Sequence, residues 1–152
     1  MEAPSEIIVR RAADSDLDAV AHVWHESALV MDGDPHVPAV EALRSRIESE
    51  LQSGWDLHVA LRGERVVGLL AVKPSEALLD QIFVLPSEQG QGVGRALLEV
   101  AQRTMPAGFR LRMATANDRA RGFYEAEGLK LLGEGFHPWS GVPVQFYGWN
   151  IG

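Results

Sequence analysis

The chain has 152 residues, 46% of them hydrophobic, so it can bury the core of one domain without metals or crosslinks. It contains no cysteine, which excludes disulfides, thiolate metal sites and cysteine nucleophiles and favours a reducing, cytoplasmic setting. Its 21 acidic and 14 basic residues give a net charge of -7, which disfavours nucleic acid and weakly favours a cationic partner.

The amino-terminal segment predicts neither a leader peptide nor a membrane anchor. Residues 1–11 include Glu2 and Glu6 and contain no apolar core segment. Nowhere does the sequence approach the roughly 20 consecutive apolar residues that a membrane span requires. We therefore expect a protein that is neither exported nor inserted into a membrane.

The first predicted elements are a strand and two helices. A β-type run at 7–10 precedes Asp14 and Ser15, which we interpret as capping residues of a helix with apolar side chains at helical spacing. The segment 32–35, Asp-Gly-Asp-Pro, breaks that helix. Apolar residues at intervals of three and four from Val40 to Leu51 then predict a second helix.

Three strands follow. Apolar runs at 57–61 and 66–72 flank the turn 62–65, in which Gly63 can adopt a positive φ. A third run at 78–85 is closed by Pro86. These three strands are predicted to form an antiparallel meander.

The remaining sequence alternates strands and helices after a glycine-rich turn. The whole order is β-α-α-β-β-β-α-β-α-β-β, which predicts one mixed α/β domain over residues 1–152. The later elements are a helix around 96–101 that stops near Pro106, a strand at 109–113, a helix from Asn117 to Gly128, a strand that starts at 129–132 and a last strand at 142–149.

The glycine-rich turn is the most informative segment. Its glycines let backbone N–H groups converge at the positive end of a helix dipole, where a pyrophosphate would bind, and Arg95 adds a further charge. The alternative is that the glycines only relieve crowding in an ordinary turn. The segment reads Gln89-Gly90-Gln91-Gly92-Val93-Gly94-Arg95.

Two other phosphate-binding motifs are excluded. A dinucleotide fingerprint that begins at Gly90 requires glycine at its sixth position, which is Arg95 here. A P-loop requires a Gly-Lys pair, and the sequence has none.

Two segments resemble the GCN5-related N-acetyltransferases (GNATs). Residues 80–98 resemble the family's acetyl-CoA signature, with Gln89, Gly92 and Gly94 at the fixed positions of the pattern Q/R-x-x-G-x-G/A. Residues 117–129 resemble its N-x-x-A-x-x-F-Y-x-x-x-G-F/L segment. Together they span residues 80–129, about a third of the chain, and the predicted order of elements agrees with the family independently of either motif.

The resemblance implies the GNAT fold, a mixed and mostly antiparallel sheet of about seven strands with helices on both faces. It also implies that strands four and five splay apart, so that the pantetheine arm of acetyl-CoA pairs with the edge of strand four. No metal is expected, and homodimers are usual among proteins of this kind. The cofactor-binding residues that the resemblance implies are Ile82, Phe83, Val84, Gln89, Gly90, Gln91, Gly92, Val93, Gly94, Arg95 and Asn117.

Acetyl transfer to an amine requires two proton transfers. An alkylamine with a pKa near 10.4 is almost entirely protonated at pH 7, so a base must accept a proton directly or through water. Asp80 is the candidate, with Glu76 and a water chain as alternatives. Tyr124 matches the tyrosine that lies beside the cofactor sulfur in the family, and we predict that it protonates the departing thiolate. Asn117 either caps a helix, binds the pantetheine arm, or does both.

The acceptor is predicted to be a small-molecule or peptide amine. Its pocket is predicted to be lined by Trp24, His25, Met31, His137 and Trp139. Two other functions stay open at this stage: a module that binds acyl-CoA without turnover, and a structural domain whose glycine turn binds nothing.

Overall fold

The computed structural model describes residues 6–32, 37–138 and 140–151 and is built around one seven-stranded sheet. The strands are β1 (Ile7–Arg11), β2 (Asp56–Arg62), β3 (Arg65–Lys73), β4 (Leu78–Val84), β5 (Phe109–Ala114), β6 (Lys130–Phe136) and β7 (Pro143–Trp149). The α-helices are α1 (Leu17–Ser27), α2 (Val40–Gln52), α3 (Val93–Thr104) and α4 (Asp118–Ala126). The predicted fold class and the predicted order of elements are confirmed.

The sheet is antiparallel except at its centre. Its strand order is β1-β2-β3-β4-β5-β7-β6. β4 and β5 are parallel, because α3 carries the chain across the sheet between them, and their register consists of the single pair Leu78 and Arg110. Beyond that pair the two strands diverge, as the family resemblance implied.

Helices cover both faces of the central strands, and β3 shows this because its interior residues are buried on both sides. On one face, a Cβ at Gly68 would lie 3.1 Å from side-chain atoms of Val93 and Leu97 on α3. On the other face, Leu69 pairs with Phe83, whose ring stacks on Trp24 of α1 with 5.8 Å between centroids. We call these two sides the α3/α4 face and the α1/α2 face.

The start of α1 differs from its prediction. Asp14 and Ser15 do not cap the helix, since they lie in a 3-10 turn over Asp14–Asp16. The capping role predicted for them was wrong. Asp16 is the polar residue that organises this corner: its carboxylate accepts the Ala13 N–H at 2.7 Å and pairs with Arg10 at 2.7 Å. This ion pair lowers the pKa of Asp16.

The end of α1 is only partly described. The helix continues as a π-helical turn over Ala28–Asp32, so it runs beyond the point at which the apolar spacing ends. The remainder of the predicted break, 33–35, lies outside the described residues.

β6 begins at Lys130, within the segment 129–132 predicted to start it, and extends to Phe136. Gly133 and Gly135 both lie within the strand, and the register shifts between Leu131 and Gly133. Packing explains the glycine at position 135, because a Cβ there would lie 3.3 Å from the ring of Phe146.

Within the described ranges, no helix is long and apolar enough to cross a bilayer.

Candidate active site

The divergence of β4 and β5 opens a cleft of about 1740 Å³ in the middle of the sheet. It begins beyond the pair formed by Leu78 and Arg110 and is reached from both faces. The cleft is lined by β4, β5 and the glycine turn, and also by α4, α1, α2 and the segment between β6 and β7. Its mixed polar and apolar lining suits a ligand site, and its volume exceeds the roughly 300–1,000 Å³ of a pocket for one drug-sized ligand.

The edge of β4 presents free backbone groups to this cleft. Leu85 donates its N–H to Val67 of β3 at 2.9 Å, so its backbone faces β3. Because the direction alternates along a strand, the backbone of Phe83 also faces β3, whereas those of Ile82 and Val84 face the cleft. Of the three predicted edge residues, Ile82 and Val84 are therefore the ones that can pair with an extended ligand.

The Val84 carbonyl is already used to hold the neighbouring elements. It accepts a hydrogen bond from Ser27 Oγ of α1 at 3.1 Å and one from Gln89 Nε2 at 3.1 Å. Gln89, the first residue of the motif, therefore holds the glycine turn against β4. The Val84 N–H and both backbone groups of Ile82 point towards the cleft.

The glycine turn positions the first amides of α3. Gly92 precedes the helix with φ of 87° and Gly90 has φ of 77°, a region that favours glycine. The Ala96 N–H makes the first helical bond, to Gly92 O at 3.1 Å. The N–H groups of the preceding helical residues have no carbonyl within the helix to reach, and they carry the positive end of its dipole.

Some residues of the glycine turn pack against neighbouring elements, and others are exposed or line the cleft. Gly94 lies against α4, where a Cβ would be 3.3 Å from the ring of Phe123. The Val93 side chain is buried against β3, and that of Gln91 is exposed. Arg95 lines the cleft with a side chain that is 69% exposed, and its Nε lies 3.7 Å from carboxylate oxygens of Glu99 and Glu127.

Tyr124 enters the cleft from the α3/α4 face. It is buried, and its ring centroid lies 5.4 Å from that of Phe123 and 6.3 Å from that of Tyr147. Asn117 caps α4 by accepting the Ala120 N–H at 3.1 Å, which confirms the predicted cap and fixes where the helix begins. The ring of Tyr124 is thus held by a capped helix and two aromatic neighbours.

Asp80 enters the cleft from the opposite side. In the pairing of β3 with β4, Ala71 faces Gln81 and Val72 faces Leu79, so Asp80 is the extra residue of a β-bulge. Its Oδ2 accepts the indole N–H of buried Trp55 at 2.8 Å. Glu76, the alternative base, is exposed in the turn that precedes β4.

Aromatic residues form the wall on the α1/α2 face. Trp24 lies between Trp55 and Phe83, with ring centroids 6.0 and 5.8 Å away, and the Arg46 guanidinium lies 5.0 Å from the Trp24 ring. Trp24 therefore lines the cleft as predicted. His25 instead points its Nδ1 at the Pro38 carbonyl, 3.0 Å away. The Met31 side chain and Trp139 lie outside the described residues.

His137 completes this wall from the segment after β6. Its pKa is lowered, first by burial and then by the positive charges of Arg112 and Arg46. Its Nδ1 accepts the Ser140 N–H at 3.3 Å, which assigns the proton of the neutral ring to Nε2. His137 lines the cleft, and its predicted role in the acceptor pocket stays a prediction.

Comparison with known proteins adds the decisive observation: the family model for the acetyltransferase (GNAT) domain matches residues 53–129. The chain belongs to the GNAT acetyltransferase family. The protein Rv2775 of Mycobacterium tuberculosis, named a probable N-acetyltransferase, is 30% identical over 97% of this chain and 95% of its own length.

Solved structures share the GNAT fold over nearly the whole chain. An acetyltransferase from Thermus thermophilus has a TM-score of 0.79 at 18% identity and covers 97% of this chain and 99% of its own. The structure of yncA from Salmonella typhimurium with its cofactor acetyl-CoA has a TM-score of 0.73 at 16% identity and covers 95% of this chain and 94% of its own.

The GNAT site also contains residues that sequence reasoning missed. No local sequence pattern marks Trp55 as a site residue, because the Asp80 carboxylate that it contacts lies 25 positions further along the chain. For Arg110 and Arg112 a local pattern exists. They alternate with buried Phe109, Leu111 and Met113, which places both arginines on the opposite face of β5. Both line the cleft.

Proposed function

We propose that the chain transfers an acetyl group from acetyl-CoA to a primary amine by direct attack within a ternary complex. The family assignment supports acetyl transfer, and the name of the Mycobacterium tuberculosis relative supports nitrogen as the acceptor atom. The chain has no cysteine to carry the acetyl group, which favours direct attack over a thioester-linked enzyme intermediate.

The residues present fit acetyl-CoA. The turn around Gly90, Gly92 and Gly94 leaves the unpaired amides of α3 to bind the pyrophosphate, and Arg95 adds a positive charge near them. An extended pantetheine arm can hydrogen-bond to the cleft-facing backbone of Ile82 and to the Val84 N–H, as an added strand does. Asn117 lines the cleft at the start of α4, and its side-chain amide would contact the same arm while its Oδ1 caps the helix.

Bound in this way, acetyl-CoA supplies an activated acyl group. The amine nitrogen attacks the thioester carbonyl, a C–N bond forms, and the C–S bond breaks. The Asp80 carboxylate takes the proton that the amine loses, directly or through water, and the Tyr124 hydroxyl donates a proton to the departing thiolate. The products are an amide and a free thiol, and return of one proton from Asp80 to Tyr124 through solvent restores both side chains.

One observation carries this proposal. Asp80 and Tyr124 reach the same cleft from opposite faces of the sheet, Asp80 beside Trp55 on the α1/α2 face and Tyr124 from α4. In the tetrahedral intermediate the amine nitrogen and the thioester sulfur are separate substituents of the acyl carbon, so a base and an acid that reach the cleft from different walls can each serve one of them.

The test combines binding with turnover. Acetyl-CoA at 100 times its Kd should stabilise the protein by about 2.7 kcal/mol in a thermal-shift assay. Free thiol should then be released when a panel of amines is added with acetyl-CoA as donor. Stabilisation without thiol release for any amine would leave a binding module, and no stabilisation would reject acetyl-CoA as the co-substrate.

A further inference from the structure

Three arginines surround the part of the cleft in which the acceptor must bind. Arg110 and Arg112 extend from β5 on the face opposite Leu111, and Leu111 pairs with Tyr147 on the α3/α4 face. Both arginines therefore lie on the α1/α2 face. Arg46 approaches from α2, on the other side of the cleft, where it lies over Trp24.

These arginines have little anionic compensation. Among the described residues, no carboxylate lies within 4.0 Å of the guanidinium of Arg110 or Arg112. Arg46 is 3.8 Å from Glu50, but that carboxylate is shared with Lys73 at 3.5 Å. Arginine that is left unpaired at a concave site is suited to binding carboxylates or phosphates through two parallel hydrogen bonds.

Arg46, Arg112 and His137 all line the cleft. The positive charges of Arg112 on β5 and Arg46 on α2 both lower the pKa of His137, after burial. The net charge of -7 does not offset this locally, because charges farther than about 8 Å are screened at physiological ionic strength.

Asp80 lies at the same level of the cleft as Arg112. β4 and β5 are parallel and pair at Leu78 and Arg110, and each of these two residues is two positions farther along its strand. Neighbouring strands are roughly 5 Å apart at such a pair and diverge beyond it. The Asp80 carboxylate on one wall and the Arg112 guanidinium on the other therefore line the same part of the cleft.

We propose that the acceptor is an amine that carries an anionic group, a carboxylate in the simplest case, close to its amino group. This inference rests on the proposed acetyl transfer and names its substrate class. Asp80 would orient the amino group towards the acyl carbon, while Arg112, with Arg46 and Arg110, would bind the anion on the α1/α2 face.

The test uses matched amines with the full chain and acetyl-CoA, and thiol release as the readout. One series is alanine, alaninamide and ethylamine, and another is phenylalanine, phenylalaninamide and phenethylamine. Amines with a carboxylate should be acetylated with kcat/KM at least tenfold above that of their amides. 1-Aminoethylphosphonate distinguishes a phosphonate from a carboxylate as the preferred anion, and preference for either over the neutral amines supports the inference.

The variants Arg112→Gln and Arg46→Gln should remove the preference. We expect a roughly ten- to hundredfold fall in kcat/KM for the anionic amine and little change for its amide. Arg65→Gln, an exposed arginine at the start of β3, is the matched control and should keep the preference. The acetyl-CoA thermal shift should be the same in all three variants.

The outcomes separate the two proposals. If neutral amines or peptide amino termini are acetylated as well as the anionic amines, or if the arginine variants keep the preference, the anionic acceptor is rejected while acetyl transfer stands. If acetyl-CoA stabilises the protein but no anionic amine is acetylated, the inference is likewise rejected. Without stabilisation by acetyl-CoA, the proposed function itself fails.

Discussion

The indole N–H of Trp55 donates a hydrogen bond to Oδ2 of Asp80, with 2.8 Å between nitrogen and oxygen. The bond joins Trp55, the residue just before β2, to the bulge in β4, which lies 25 positions further along the sequence. Because Trp55 is buried beside Trp24, it holds the Asp80 carboxylate in one orientation towards the cleft. A base in the proposed reaction needs this restriction, since a freely rotating carboxylate would seldom face the amine.

We expect Asp80→Asn to lower kcat by roughly a hundredfold or more, because the amide cannot accept a proton from the amine. Steady-state thiol release at saturating acetyl-CoA measures it. Asp56→Asn is the matched control: that carboxylate pairs with Arg11 at 3.0 Å, outside the cleft, and its loss should leave kcat near the wild-type value. Equal rates for Asp80→Asn and the wild type would reject Asp80 as the base.

Trp55→Phe should lower kcat by roughly tenfold through loss of the hydrogen bond to Asp80, with acetyl-CoA affinity unchanged. A double-mutant cycle separates positioning from general damage to the fold. In the Asp80→Asn background, Trp55→Phe should have little further effect, because both changes act through one carboxylate. Additive losses would mean that Trp55 acts by packing alone.

Tyr124→Phe should lower kcat about a hundredfold while the Kd for acetyl-CoA stays within about twofold, since only the proton donor is removed. Tyr147→Phe is the matched control, a second buried tyrosine 6.3 Å from Tyr124 whose hydroxyl donates to Glu125 at 2.7 Å. It should be destabilised by about 1 kcal/mol and retain its rate. A normal rate for Tyr124→Phe would remove it as the acid.

Gly92→Ala tests the amides at the start of α3. The backbone at Gly92 has φ of 87°, so alanine is strained there by about 1–2 kcal/mol, although its methyl would meet no protein atom within 4 Å. We expect at least a tenfold weaker Kd for acetyl-CoA by calorimetry. Gly63→Ala, with φ of 63° in the turn between β2 and β3 and equally open space, should be destabilised similarly yet bind normally.

Local sequence signals were sufficient for the order of elements and for the glycine turn. Strand and helix periods, with Gly63 and Gly128 at positive φ, depend on neighbours a few residues apart, and the structure agrees with them. The same holds for Asn117, whose cap bond reaches only three residues along the chain.

The parts that could not be predicted depend on contacts between distant elements. The bulge at Asp80 arises from register with β3, and the bond to Trp55 follows from where that register places the carboxylate. The length of β6 likewise depends on its pairing with β7, where the ring of Phe146 lies against Gly135. Tertiary packing of this kind leaves no local pattern.

The stability of the protein should fall as the pH is lowered from 7 towards 5, because two histidines have lowered pKa values in the folded state. Burial lowers the pKa of His58 on β2 and of His137 below the usual histidine value of 6.5. The unfolded chain therefore binds more protons in this range, and stability that is fully present above pH 6.5 is lost below it. Urea unfolding at several pH values measures the slope. His58→Gln should reduce the slope of stability against pH, and His137→Gln should remove the remaining slope. An unchanged slope in the double variant would assign the effect to other groups.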